Sequence, residues 1–415
     1  MLVFFLSTGA LIPLLIRHGA QGDQELAQGD PLSQVVWLGV YAITSLLIVT
    51  RWRRFVWVAT RDKLLLLLVG LAVVSVVWSV APAITLRREV ALLGTTLVGA
   101  YLAMRYEPGE QLRLLAWALG VAALLSLLFG LALPSYGLDS DGSWQGIFGG
   151  GKNALGRVMG LSSLVFLLVA LSSHRHRWLP WSGFVLSVGL LVMANSVTSL
   201  TVLLSVLFLL PLYGALRLPH TFAAPILIFV TLLGAIAAMW LIANQETVLG
   251  VLGRDATFSN RTAVWPAVID MIRQRPWLGY GYGAFWLGWE GESAQVWLRT
   301  AAVGLEAVHA HSGYLDLCIN IGLLGATTFA LGVLFATGRA VSWIRSTRTA
   351  ADLWPLAYLT FMLLYNFTES AILVHNDVFW VLYVAAALST ATRIAEARDH
   401  GDADASPGGR MEPRW

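Results

Sequence analysis

Residues 199–216 read SLTVLLSVLFLLPLYGAL, a run without Asp, Glu, Lys or Arg. The hydrocarbon core of a bilayer is about 30 Å thick, and about 20 mostly apolar helical residues cross it. Lipid offers the backbone no hydrogen-bond partners, so a crossing segment must satisfy its own N–H and C=O groups, as a helix does. Comparable runs precede it at 1–16, 33–50, 64–80, 90–104, 114–133, 155–172 and 181–195, and follow at 222–243, 313–337, 353–371 and 377–392. The pattern predicts an all-α integral membrane protein of about 12 transmembrane helices, with one long extracytoplasmic loop containing short helices.

Composition agrees. Across 415 residues, 57% are hydrophobic and 12% charged, and the mean hydropathy is +0.70. Soluble domains carry about 25% charged residues, so a water-facing surface is excluded for most of this chain. The net charge of +3 is too small to imply nucleic acid. A single cysteine, Cys318, rules out an internal disulfide. The opening MLVFFLSTGALIPLLIRHG lacks a basic leader and an Ala-x-Ala cleavage site, and is expected to be a retained first span.

Basic residues set the expected orientation, because short cytoplasmic loops are enriched in Lys and Arg. With the N-terminus inside, the inner breaks hold Arg51, Arg53, Arg54, Arg61, Lys63, Arg105, Arg113, Arg175, Arg177, Arg217, Arg339, Arg345, Arg348, Arg393 and Arg398. The opposite short loops hold only Arg17, Arg87, Arg88, Lys152 and Arg157. Both termini are expected in the cytoplasm. The chain then divides into N-terminal spans (1–243), an extracytoplasmic loop (244–312), C-terminal spans (313–395) and a polar tail (396–415) expected to be disordered.

The loop holds the polar groups that the spans lack. Ser259 or Asn260 is placed to cap a helix running through about Arg273. The N-terminus of that helix, with Arg261 beside it, forms an anion site: backbone N–H groups and a dipole end point outward, and a guanidinium fork matches phosphate oxygens. The loop continues through Arg275-Pro276-Trp277-Leu278-Gly279-Tyr280-Gly281 to His309-Ala310-His311 at the mouth of the next span. A histidine there can accept a hydroxyl proton near neutral pH.

Three stretches, GRDATFSNRTAVW (253–265), RPWLGYGYGAFW (275–286) and HAHSGYLDLCINIGLLG (309–325), resemble the signature of the O-antigen ligase and polymerase superfamily. The ligase signature is His, then Asn, Ser or Gln, nine residues, then Gly-x-x-Gly; His311-Ser312 and Gly322-Leu323-Leu324-Gly325 fit it. The resemblance extends to GGGKNALGRVMG (149–160) and NFTES (366–370). It implies a glycosyltransferase whose donor is a glycan on undecaprenyl pyrophosphate, with a catalytic histidine near the acceptor and arginines on the pyrophosphate. Carried over by position, it makes His311 and Arg261 catalytic candidates. Arg254 and Arg157 join them as pyrophosphate or glycan ligands, as do Lys152, Asn153, Tyr280, Tyr282 and Glu369. Arg157 to Leu161 resembles a second family motif, Arg-x-x-x-Leu.

The implied protein is a polymerase of repeat units, needing neither metal nor cofactor, in the bacterial inner membrane with its site on the periplasmic face. Its partners would be the lipid-linked glycan, an acceptor glycan or lipid, and a chain-length regulator. A ligase moving the glycan to lipid A core or protein shares the same motifs. A transporter would place charges at the midplane of paired halves; here the predicted spans are nearly free of charge.

Weaker signals are discounted. Asp139-Ser140-Asp141 has the form of a metal-holding Asp-x-Asp but reads as a solvated turn. Glu306-x-x-His309 is half of a di-metal pair without its second copy. Gly279-Tyr280-Gly281-Tyr282-Gly283 lacks the strand and helix of a dinucleotide fingerprint. Tyr280, Tyr282, Trp277, Trp286 and Trp289 fit a sugar-stacking platform or an interfacial aromatic belt equally well. Glu369 and His375 flank a turn between the last two spans, where ionisable groups are costly and functional by default.

Overall fold

A computed structural model describes residues 1–10, 31–139, 141–148, 151–173, 177–219, 221–222, 261–301 and 307–404, without side-chain detail at 261–263, 301 and 397–404. Every regular element in these residues is helical, apart from one isolated bridge between Leu138 and Trp144. Six described helices are long and apolar enough to cross a membrane: Pro31–Val49, Pro108–Ala132, Lys152–Ser172, Val197–Ala215, Gly313–Ser346 and Val378–Glu396. Shorter apolar helices lie at Lys63–Val77, Trp178–Met193 and Ala351–Tyr365. The protein is a multi-pass, all-α membrane protein. The predicted span at 222–243, and the predicted first span beyond Ala10, lie outside the described residues.

Burial separates the helices into lipid-facing and central ones. Pro31–Val49 exposes Leu32, Val35, Leu38, Ile43 and Leu46, as a helix does when its solvent is lipid. Every residue from 377 to 392 is buried, so the helix starting at Val378 runs through the centre of the bundle. Phe361, Tyr365 and Phe379 stack there with nearly parallel rings. Toward the basic end, Asp62 caps its helix at Leu65 N–H (3.0 Å) and pairs with Arg339.

Three expectations are corrected. The span predicted at 90–104 is a helix from Pro82 to Arg105. It places Arg87, Arg88 and Glu89 within the helix instead of a loop, with Arg87 exposed and Arg88 and Glu89 turned toward the bundle. Pro82 suits a helix start, since its missing N–H would have no partner there anyway. Arg88 donates to the carbonyl of Gly283, and Glu89 is buried. The tail predicted to be disordered from 396 is helical through Asp404.

The third correction concerns the run from 313. It extends to Ser346 but breaks at Ile321 and Gly322. Gly322 has φ 67 and ψ −172, a region open essentially only to glycine. The break is filled by the segment after Arg275. Leu323 and Leu324 donate to the carbonyls of Pro276 (2.8 Å) and Trp277 (3.3 Å), while Tyr280 and Gly281 donate to those of Ile319 (2.8 Å) and Asn320 (3.0 Å). A Cβ on Gly322 would lie 2.1 Å from the Trp277 carbonyl oxygen.

Candidate active site at the mouth of the helix beginning at Gly313

The segment leading to His311 has a core of its own. Val264, Val268, Met271, Tyr280, Phe285 and Ile319 form a small buried cluster joined by Ala307 and Ala310. The helix Arg261–Gln274 begins and ends within a residue of the sequence-based expectation. Its Trp265 indole N–H donates to the Ala310 carbonyl at 3.1 Å. Arg261 begins this helix, one turn before Trp265.

Three separate stretches meet at His311. The turn 366–370 is tied to the helix start because Gly313 N–H donates to the carbonyls of Asn366 (3.0 Å) and Glu369 (2.9 Å). A Cβ at Gly313 would overlap the Asn366 side chain, 2.0 Å from its oxygen. His311 Nδ1 then lies 3.9 Å from Glu369 Oε2. Asn153, at the start of the Lys152–Ser172 helix, donates to Glu369 Oε1 at 3.2 Å and accepts from Ser196 at 3.2 Å. One helical turn on, Arg157 pairs with Asp377 at 2.9 Å beneath the face of Phe379. The Nε of Arg157 and Nδ1 of His311 are buried and have no hydrogen-bond partner among the described residues.

The backbone here is held in uncommon conformations. The described non-glycine residues with positive φ are Asn195, His311, Leu373 and Asn376. All lie in the turns bordering this cluster. Such residues cost about 1–3 kcal/mol each and persist where surrounding structure imposes them.

Of the residues nominated from sequence, His311, Glu369, Asn153 and Arg157 come together. Arg261 begins the adjacent helix, and Arg254 lies outside the described residues. Lys152 points elsewhere and pairs with Asp141 at 2.6 Å in the 139–143 turn; the lysine and the Ser143 groups hold the Asp141 carboxyl well below its usual range. Tyr280 and Tyr282 are corrected: they are 1% and 3% exposed and cannot stack on a sugar. Their hydroxyls donate to the carbonyls of Met271 (2.9 Å) and Leu373 (2.7 Å), which makes them pins between loops. Burial pushes the Tyr282 phenol well above its usual pKa.

His375, beside Tyr282, is lowered to about 4, first by burial and then by Arg88 and Arg87. It is neutral at physiological pH.

Sequence reasoning missed Asp316. Its buried carboxylate accepts from the Trp286 indole (2.8 Å), from Ala310 N–H (3.1 and 3.3 Å) and from Ser370 Oγ. It thereby clamps the residue before His311 to the residue after Glu369. Asp377 was missed as well. Neither carries a local signal, beyond being an acid at the start of an apolar run. His309, His311 and Glu369 also form a group with possible ligand atoms within 4.8 Å of one another. The sequence offered no such set, because Glu369 arrives from a different turn.

A histidine with positive φ, a carboxylate beside it and a buried arginine thus gather at one end of the helical bundle. Comparison with known proteins adds two likenesses. Residues 182–330 match a family model described as "Wzy_C: O-Antigen ligase". The chain is 27% identical over 263 residues to "Exopolysaccharide production protein ExoQ" of Rhizobium meliloti (strain 1021), a match covering 61% of this chain and 59% of that relative. The chain thus spans about three-fifths of the curated relative it matches. Both matches are likenesses to the O-antigen ligase-like superfamily, over part of the chain in each case.

Proposed function

We propose that the protein is a bacterial inner-membrane glycosyltransferase that polymerises oligosaccharide repeat units carried on undecaprenyl pyrophosphate, on the periplasmic face. The observation that carries this reading is the convergence of His311, Glu369, Asn153 and Arg157, from three distant stretches, beside the helix that starts at Arg261. A sugar on pyrophosphate already has a good leaving group. The enzyme needs to hold that group and to take a proton from the acceptor hydroxyl. In this reading His311 accepts the proton, and Glu369, fixed by Asn153, steadies the imidazolium that forms. Arg261 and the N-terminus of its helix, aided by Arg157 and Arg254, stabilise charge developing on the pyrophosphate. No step in it requires a metal. The relative's name, an exopolysaccharide production protein, favours polymerase over ligase.

The direct test is purified protein given lipid-linked repeat units alone, in EDTA. A ladder of extended chains is expected. Product only when lipid A core or a protein acceptor is added would make the enzyme a ligase, and a strict need for Mg²⁺ or Mn²⁺ would end the metal-free account.

Orientation has its own test. An alkaline phosphatase fusion near Gly291 should be active, and one at Arg345 inactive. The reverse pattern would invert the topology and move the site to the cytoplasm.

Arg261→Lys should lose most polymer synthesis at normal protein level, because a point charge does not replace a planar fork on phosphate oxygens. Wild-type chain yield from this variant would take Arg261 off the donor.

A further inference from the structure

Building on that reading, we propose that His309, His311 and Glu369 form a binding site for a divalent transition-metal ion such as Zn²⁺, and that occupancy of this site stops glycan transfer. The donor set is two imidazoles and a carboxylate, with ligand atoms mutually within 4.8 Å. Bonds of about 2.0–2.2 Å put the ligand atoms of one tetrahedral zinc roughly 3.4 Å apart. The 3.9 Å between His311 Nδ1 and Glu369 Oε2 is close to that spacing, and small side-chain rotations close the rest. The two imidazole rings are already 4.0 Å apart between centroids. Three protein ligands leave one position open, as in metal sites that exchange a ligand.

Each ligand is steered by a neighbour, as metal ligands usually are. His309 Nδ1 accepts the His311 backbone N–H at 3.1 Å, which holds the ring beside His311 with its lone pair on Nδ1, and coordination by that nitrogen takes the place of this hydrogen bond. Asn153 holds Glu369 Oε1 at 3.2 Å, turning Oε2 toward His311. His311 Nδ1 is buried without a hydrogen-bond partner among the described residues, so a bound cation would satisfy it. Imidazole nitrogen with one carboxylate suits Zn²⁺, Co²⁺, Ni²⁺ or Cu²⁺, whereas Mg²⁺ and Ca²⁺ favour all-oxygen shells.

Inhibition follows from the bonding. A neutral imidazole coordinated through Nδ1 keeps its proton on Nε2. Neither nitrogen then has a lone pair for the acceptor hydroxyl, and Glu369 is drawn to the metal. Coordination and proton acceptance by His311 exclude each other.

The test uses the full-length protein in detergent, with Co²⁺ alone as the spectroscopic probe and Zn²⁺ in the polymer assay. Co²⁺ is expected to give a saturable visible absorption at one equivalent. Zn²⁺ at micromolar levels should suppress extension, EDTA should restore it, and Mg²⁺ should leave it unchanged. His309→Asn keeps an acceptor for the His311 N–H but deletes the coordinating imidazole, and should weaken Co²⁺ binding at least about tenfold. Glu369→Gln should do the same. Zinc sensitivity is read as the ratio of synthesis with and without metal for each variant, which removes differences in basal rate. Absence of Co²⁺ binding, or binding indifferent to both substitutions in folded protein, overturns the proposal. Binding that responds to both variants while Zn²⁺ leaves synthesis intact upholds the ion site, and it is then the proton-accepting role of His311 that fails.

Discussion

His311→Ala is expected to yield folded, membrane-inserted protein and almost no polymer. General-base assistance is worth about 10²–10⁴-fold in rate. The side chain is only partly buried, and its carboxylate partner, Glu369, is 3.9 Å away, so truncation removes chemistry more than packing. His309→Ala should be milder: it loses the acceptor for the His311 N–H and leaves the reacting imidazole in place. Glycan length on a gel, with protein level measured in the same membranes, separates the outcomes. Near-normal polymer from His311→Ala at equal expression would remove the base from the mechanism.

Gly322→Ala is expected to fail at folding. Alanine would have to hold φ 67 and ψ −172, which costs about 1–3 kcal/mol. Its Cβ would sit 2.1 Å from the Trp277 carbonyl oxygen and 2.5 Å from the Leu278 nitrogen. Those are backbone atoms, fixed by hydrogen bonds to the other side of the break, and overpacking of this kind adds about 1–3 kcal/mol more. The combined loss, about 2–6 kcal/mol, is a large part of the stability of an ordinary domain. Most of the variant should be missing from the membrane fraction, and the remainder should melt well below wild type in detergent. Gly338→Ala, where nothing lies within 4 Å of the added methyl, is the matched control. Equal melting temperatures for Gly322→Ala and wild type would mean that the helix is not broken there.

Much of the fold was legible because lipid imposes a simple rule. Uncharged runs such as 114–133 and 199–216 are helices among the described residues, and the helix at Arg261 was expected from a cap at Ser259 or Asn260, which lie outside the described residues. Arg87, Arg88 and Glu89 broke the rule. Their partners, such as the Gly283 carbonyl, are far away in sequence, so charges that looked like a loop sit inside a helix. The site was legible in its parts, since His311, Glu369, Asn153 and Arg157 lie in stretches that stood out. Their meeting was not legible, and neither were Asp316 and Asp377, because contacts between distant turns leave no periodic trace. The tyrosines at 280 and 282 misled for another reason. Aromatic side chains serve cores, membrane interfaces and sugar platforms with the same residue types, and only burial distinguishes them.

The break at Ile321 and Gly322 also constrains how the molecule moves. Leu323, Leu324, Ile319 and Asn320 have given up backbone bonds within their own helix and exchanged them with residues 276–281. In an apolar surrounding each group left without a partner costs several kcal/mol. Residues 276–283 are therefore a fixed wall and not a gate, and any opening of the bundle has to come from its other parts.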